Sequence, residues 1–97
     1  MEINEKLVNG IIERLEGLLG DGGMALTSDN FAINQKVIED IIFPVVDSFE
    51  IDIQEIKDDY NIEVIQSLGR SLSSGRLGYI KNHLQKLLDK LNEVVQK

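Results

Sequence analysis

The end of the chain carries the feature that most constrains the fold, a long amphipathic helix predicted over residues 76–95. Apolar residues recur there at three- and four-residue steps, which places them on one stripe of a helix with polar residues around it. The stripe consists of Leu77, Ile80, Leu84, Leu87, Leu88, Leu91, Val94 and Val95. Because most helical stability in proteins comes from packing an apolar face, the rest of the chain must supply helices that cover this stripe.

Two further stretches of helical spacing precede it. The apolar residues of 3–19 recur at helical steps, and Gly20 follows them as a stop signal. A second helix is predicted from about residue 30 to residue 59. It contains Pro44, which lacks a backbone N–H and crowds the preceding turn, so this helix is expected to kink there.

The stretch after Pro44 fits two patterns. Val46, Phe49, Ile53, Ile56 and Tyr60 hold helical steps, whereas Phe49, Ile51 and Ile53 also alternate as in a strand. A lone strand has no partner to pair with in this sequence, which favours the helix.

A shorter helix and a capped junction complete the prediction. Residues 61–73 form the shorter helix, with Asn61 as its amino-terminal cap. Ser73 or Ser74 then caps the closing helix, which extends over residues 75–96. The sequence therefore predicts an all-α fold for residues 1–97 as a single domain, a compact bundle of four to five helices with the second helix kinked at Pro44.

Composition excludes several classes of function. The net charge of −7 argues against general affinity for nucleic acid or an anionic membrane surface, since both require a basic footprint. The chain has no cysteine, which excludes disulfides and thiolate metal sites. No run reaches the roughly 18 apolar residues of a membrane span, and the acidic residues 1–5 lack the basic region of a signal peptide. A cytoplasmic protein is expected.

The residues for common catalytic chemistry are also scarce. The sequence contains one histidine and none of the spaced His and Glu patterns that hold zinc. Its acidic residues lie on helix faces, where acids usually serve solubility, so they nominate no acid and base pair. We expect neither an enzyme nor a bound cofactor or metal.

Charge is unevenly distributed along the chain and suggests two candidate partner-binding surfaces. Residues 1–75 carry a net charge of −10, and residues 76–97 carry +3. The most acidic segment supplies Asp47, Glu50, Asp52, Glu55, Asp58 and Asp59. One side of the closing helix supplies Tyr79, His83, Lys86, Lys90 and Lys97. Each set is either a solvated or internally paired face, or a surface that meets a partner of suitable charge.

The interpretation that follows is a small acidic protein-interaction module, such as a regulator, inhibitor, immunity factor or adaptor. It would bind another protein through a helix face, without nucleic acid or membrane. Apolar stripes of this kind pack equally well within a chain and between chains, so a homodimer stays open.

Two short motifs give alternatives to this interpretation. His83-Leu84-Gln85-Lys86 resembles the His-x-x-Lys core of histidine phosphotransfer domains, although Leu87-Leu88 follows where that family has a small residue. This resemblance implies a phosphorylated histidine on a helical bundle. Asp47-Ser48-Phe49 is similar to the Asp-Ser-Leu motif of acyl carrier proteins, which implies phosphopantetheine on a serine at a helix start.

Overall fold

The computed structural model describes residues 5–20, 26–66 and 73–95, and within these ranges the secondary structure is helical, without a strand. The elements are α1 (Glu5–Leu19), α2 (Phe31–Val37), a π-helical segment (Ile38–Ile42), α3 (Phe43–Ser48), α4 (Gln54–Gln66) and α5 (Ser74–Val95). Since α2, the π-helical segment and α3 follow without interruption, the described chain forms four continuous helices. Its radius of gyration of 13.3 Å matches a compact domain of about this length. The predicted all-α bundle is confirmed.

Helix α5 lies between two of the other helices. Both α1 and α4 pack against it. The buried residues of its stripe are Ile80, Leu84, Leu87, Leu88 and Leu91, with Leu77, Val94 and Val95 half-buried. The helix starts where the sequence predicts, because the backbone N–H of Arg76 donates to the Ser73 hydroxyl oxygen at 3.1 Å. This bond satisfies one of the free amides of the first turn.

The core is aliphatic apart from a few aromatic rings. Among the described residues no polar or charged side chain is fully buried. Helix α1 contributes most of its predicted stripe, but Leu7, which the spacing assigns to the core, is exposed. In the described part of the chain, the buried residues outside α5 are Val8, Ile11, Ile12, Leu15, Leu18, Leu26, Phe31, Ile38, Ile42, Phe43, Val46, Phe49, Ile53, Ile56 and Tyr60.

The backbone accommodates Pro44 by widening the helix just before it. Residues Ile38–Ile42 form a π-helical turn, and the N–H of Phe43 donates to the Ile38 carbonyl five residues earlier. The backbone dihedrals at Ile42 and Phe43 remain right-handed helical, so the helix passes through the proline without a break. The irregularity predicted at Pro44 therefore takes the form of a π turn, which tolerates the missing N–H and the bulk of the ring.

The predicted helix from residue 30 to residue 59 is wrong at residues 49–53, whereas residues 54–59 are helical as predicted but belong to α4. Helix α3 ends at Ser48, and the N–H groups of Phe49 and Glu50 turn back to the carbonyls of Val46 and Asp47 at 3.0 and 3.1 Å. Glu50 has a left-handed backbone with φ of 63°. Residues 51–53 then form an irregular link, so the alternation of Phe49, Ile51 and Ile53 marks neither a strand nor a helix.

The predicted boundary at Asn61 is wrong as well, because that residue lies in the middle of α4. The helix begins seven residues earlier, where the N–H of Gln54 donates to the Asp52 carboxylate at 3.2 Å. The first helical bond follows from the Lys57 N–H to the Ile53 carbonyl at 2.9 Å. Asp52 is thus the local start signal, as expected of an acidic residue at a helix amino terminus.

Replacing Glu50 with glycine is expected to raise the free energy of unfolding by about 0.5–1 kcal/mol. A left-handed backbone costs an L-residue roughly 1–2 kcal/mol, and glycine avoids that cost while losing about 0.5–1 kcal/mol in chain entropy. Within a continuous helix the same change would instead destabilise by about 1 kcal/mol. The sign measured by urea denaturation therefore decides between a break and a continuous helix at residue 50.

Tyr60 fixes α4 against the π-helical segment and α3. Its side chain is fully buried, and its ring meets the Phe43 ring edge-on with centroids 5.2 Å apart. The Tyr60 hydroxyl donates to the Glu39 carboxylate at 3.2 Å. Burial, followed by the charge and hydrogen bond of Glu39, raises the pKa of Tyr60 far above its ordinary value. The buried face of α4 is consequently defined by Ile56 and Tyr60.

Candidate functional site

The two charged segments predicted from the sequence border one groove. Asp52, Glu55 and Asp59 line it on the α4 side, and Lys86 and Lys90 line it on the α5 side. Its volume is about 340 Å³. The acidic segment and the basic side of α5, treated as two separate surfaces from the sequence, are therefore adjacent along the α4–α5 interface.

Both ends of this interface are closed by polar contacts within the chain. At one end Arg76 pairs with Glu63 at 3.1 Å and also donates to the side-chain oxygen of Gln66. At the other end the Lys90 ammonium donates to the Asp52 backbone carbonyl at 2.7 Å. Of the basic side of α5, Lys90 thus contacts the α4 side directly, and Arg76, one turn before Tyr79, adds an ion pair.

His83 and Tyr79 lie between these two ends on the same side of α5, since residues 76, 79, 83, 86 and 90 follow at three- and four-residue steps. His83 is half-buried, and its Nδ1 atom is enclosed without a hydrogen-bond partner among the described residues. Tyr79 is exposed. An accessible imidazole, which the resemblance to phosphotransfer domains implies, is therefore only partly available. Lys97 lies outside the described residues.

Ser48 is placed differently from what the carrier resemblance implies. It is the last residue of α3, not the first residue of a helix. Its hydroxyl is exposed but donates back to the Val45 carbonyl. A serine hydroxyl that donates a hydrogen bond to a backbone carbonyl at a helix end contributes to the local structure of that end.

The acidic residues from 47 to 59 do not form one continuous helix face, because the chain breaks at residues 49–53. Asp47 pairs with Lys57 at 2.8 Å and so ties α3 to α4. Glu50 lies exposed in the turn, and Asp58 accepts a hydrogen bond from the Gln54 side chain at 2.8 Å. Only Asp52, Glu55 and Asp59 meet in the α4–α5 groove.

The structure exposes a surface that the sequence interpretation missed, on the side of α4 that faces away from Tyr60. Glu55, Asp58, Ile62 and Ile65 follow at steps of three, four and three residues and share this side. We call these four residues the outer face of α4. Ile62 is 50% exposed and Ile65 is 64% exposed, so the face is apolar at one end and acidic at the other.

The sequence interpretation missed this surface because it started α4 at the wrong residue and therefore assigned the wrong side of the helix to the core. A boundary at Asn61 assigns Ile65 to the core of a separate short helix. When the helix starts at Gln54 and buries Ile56 and Tyr60, residues two and five positions after Tyr60 must point outward at 100° per residue. The Asp52 cap in the sequence is the signal that identifies this start.

We also looked for metal sites and membrane-spanning helices in the structure and compared the chain with known proteins. Within residues 5–20, 26–66 and 73–95, no three His, Asp or Glu side chains come together as metal ligands, and no helix is long and apolar enough to cross a membrane. Comparison of the chain with protein families, curated proteins and solved structures gives no match.

Proposed function

We propose that this chain is a non-enzymatic protein-interaction module, a cytoplasmic regulator, inhibitor, immunity factor or adaptor, that binds its partner through the outer face of α4. The observation that carries this proposal is the exposure of Ile62 and Ile65 side by side on a helix whose other side is already buried. Neighbouring exposed aliphatic side chains on a stable helix are typical of a contact surface for another molecule.

The composition of this face favours a particular kind of partner. Ile62 and Ile65 can enter an apolar groove, while Glu55 and Asp58 extend the same helix side with negative charge. A protein with net charge −7 attracts a basic partner and repels an acidic one at long range. The partner surface that fits best is an apolar groove with lysine or arginine side chains along one end.

In this proposal the contacts along the α4–α5 groove hold α4 in place. Arg76 and Lys90 clamp the two ends of α4 to α5, which fixes the direction of its outer face. Presenting contact residues from a rigid helix lowers the entropy lost on binding. The alternative is that Lys86 and Lys90 contact the partner directly, which would keep the binding function but place its site on α5.

Replacing Ile62 and Ile65 together with serine is expected to weaken partner binding by tenfold or more for each side chain, about 1.4 kcal/mol per factor of ten. Folding stability should change little, because both side chains are exposed. The test is affinity capture from the source cells with tagged wild-type and variant chains, followed by titration of the captured protein.

Three matched variants make this test specific. Ile33→Ser removes an even more exposed isoleucine, from α2, and should leave binding intact. Asp58→Lys should weaken binding, whereas Lys86→Glu, which changes a lysine that forms no hydrogen bond or ion pair with the described part of α4, should do so only if the basic side of α5 contacts the partner. Undiminished binding by all of the α4 variants would contradict the proposed site, and loss only in the α5 variant would transfer it to α5.

A further inference from the structure

The α4–α5 groove is continuous with the outer face of α4. Glu55 belongs to that face and also lines the groove. Glu55, Asp59 and Ile62 follow at steps of four and three residues, so they lie on one line along the helix. At 1.5 Å per residue, Ile62 lies about 10 Å from Glu55 along the helix axis. An interface of ordinary size that is centred on Ile62 therefore includes the edge of the groove.

The α4 side of the groove carries two carboxylates that are free to bind. Glu55 and Asp59 form no hydrogen bond or ion pair within the described part of the chain. The carboxylate of Asp52 differs from them, because it already accepts a hydrogen bond from the Gln54 N–H. Side chains four residues apart on a helix have Cβ atoms about 5–6 Å apart, so one cation can reach both Glu55 and Asp59.

The α5 side of the groove carries two lysines, and one of them is already bound. The ammonium of Lys90 donates to the Asp52 carbonyl at 2.7 Å. Lys86 is exposed, and it makes no ion pair or hydrogen bond to a residue that the structure describes. Two unpaired carboxylates thus oppose one unpaired ammonium, which leaves the groove with an excess of negative charge.

The floor of the groove is apolar, since the buried Ile53 and Ile56 line it. Its volume of about 340 Å³ is near the lower end of the roughly 300–1,000 Å³ of small-molecule pockets, so the groove suits one long side chain. A cationic side chain can lay its methylene stem on apolar surface while its charged end reaches polar groups. Arginine fits better than lysine, because its planar guanidinium is weakly hydrated and has five N–H donors with which to bridge two carboxylates.

We propose that the α4–α5 groove is a binding site for an arginine side chain, supplied by the partner that covers the outer face of α4. The guanidinium lies between Glu55 and Asp59, and the stem lies on the apolar floor. This inference rests on the proposed function for the source of the arginine, whereas the preference of the groove for a guanidinium follows from the chain alone. The net charge of −7 adds attraction for a cation at long range.

NMR titration of the full isotope-labelled chain with N-acetyl-arginine methylamide at low ionic strength tests the groove without the partner. Saturable shifts are expected for backbone amides near residues 54–59 and 86–90. The citrulline derivative, which keeps nearly the same shape without the charge, should give none. Asp59→Asn is expected to weaken binding of the arginine derivative about threefold or more. Asp40→Asn removes the same charge from the π-helical segment and should leave binding unchanged.

Lys86 decides whether the groove selects a cation or an anion. Lys86→Gln removes a competing positive charge, so it should strengthen binding of the arginine derivative. Shifts of the same amides by the citrulline derivative, unchanged binding in Asp59→Asn, or weaker binding in Lys86→Gln would overturn the proposal.

The titration and the capture of the partner can fail separately. A failed titration combined with loss of partner binding by the Ile62 and Ile65 variant overturns this inference and leaves the proposed function standing. A successful titration combined with intact capture by that variant contradicts the outer face of α4 as the partner site and leaves the groove as an arginine site of its own.

Discussion

Replacing Tyr60 with alanine is expected to lower the free energy of unfolding by about 3–5 kcal/mol, a large fraction of the 5–15 kcal/mol that stabilises a domain of this size. The side chain is fully buried, and it packs edge-on against Phe43. Its removal leaves a cavity between α4 and α3, and it leaves the half-buried Glu39 carboxylate without its hydroxyl donor. Urea denaturation followed by circular dichroism measures the loss.

Two further variants on α4 supply the controls for this prediction. Ile65→Ala should change the free energy of unfolding by no more than about 0.5 kcal/mol, because Ile65 is exposed. Tyr60→Phe keeps the ring and removes the hydroxyl, so it should cost only about 1 kcal/mol. If Ile65→Ala cost as much as Tyr60→Ala, the phase of α4 described here would be wrong, and its outer face would belong to the core.

Replacing Gly10, Gly17 and Gly78 together with alanine is expected to raise the free energy of unfolding by about 2–3 kcal/mol. All three lie inside helices, and a methyl group at each would meet no atom within 4 Å. The gain comes from the lower entropy of the unfolded chain and adds over sites that do not touch. Urea denaturation followed by circular dichroism measures it.

Gly20 is the matched control for this set. It directly follows α1, and a methyl group there would lie 3.0 Å from the Glu16 carbonyl oxygen. Gly20→Ala should therefore give no gain. Destabilisation by Gly10→Ala or Gly17→Ala would contradict the open space beside these glycines.

The sequence predicts α1 and α5 well because their apolar residues follow one period over many turns. In α5 only one orientation of the helix buries the stripe from Leu77 to Val95, and Ser73 marks the start of the helix. Leu7 is an exception, because the spacing assigns it to the core although it lies at the edge of the α1 stripe and is exposed. Helices with one dominant apolar face are thus predictable from local pattern.

Helix α4 was predicted with the wrong boundaries because its apolar residues surround it. Ile56 and Tyr60 lie on the buried side, and Ile62 and Ile65 on the exposed side, so no single stripe fixes the phase. The break before it depends on Glu50 in a left-handed conformation, for which glutamate gives no signal. The packing of Tyr60 in the core decides which side of α4 faces inward, and local helix propensity does not determine this.

The sequence allowed the charged residues of the two candidate surfaces to be predicted, but not that these surfaces lie next to each other. The spacing of Lys86 and Lys90 places them on one side of α5, as the groove shows. Their proximity to Asp52 follows from the antiparallel register of α4 and α5, which local sequence does not encode. The exposure of Ile62 and Ile65 follows in turn from that register and from the position of the Asp52 cap.

The most direct test of the proposed function is photo-cross-linking in the source cells with a photoreactive side chain at position 65, compared with position 85. Gln85 is exposed on α5 and lies outside every surface assigned to a partner here. The proposal predicts an adduct with another protein from position 65 that is absent from position 85 and is lost when Asp58 is changed to lysine. Equal adducts from both positions, or adducts from position 85 alone, would contradict a partner-binding outer face of α4.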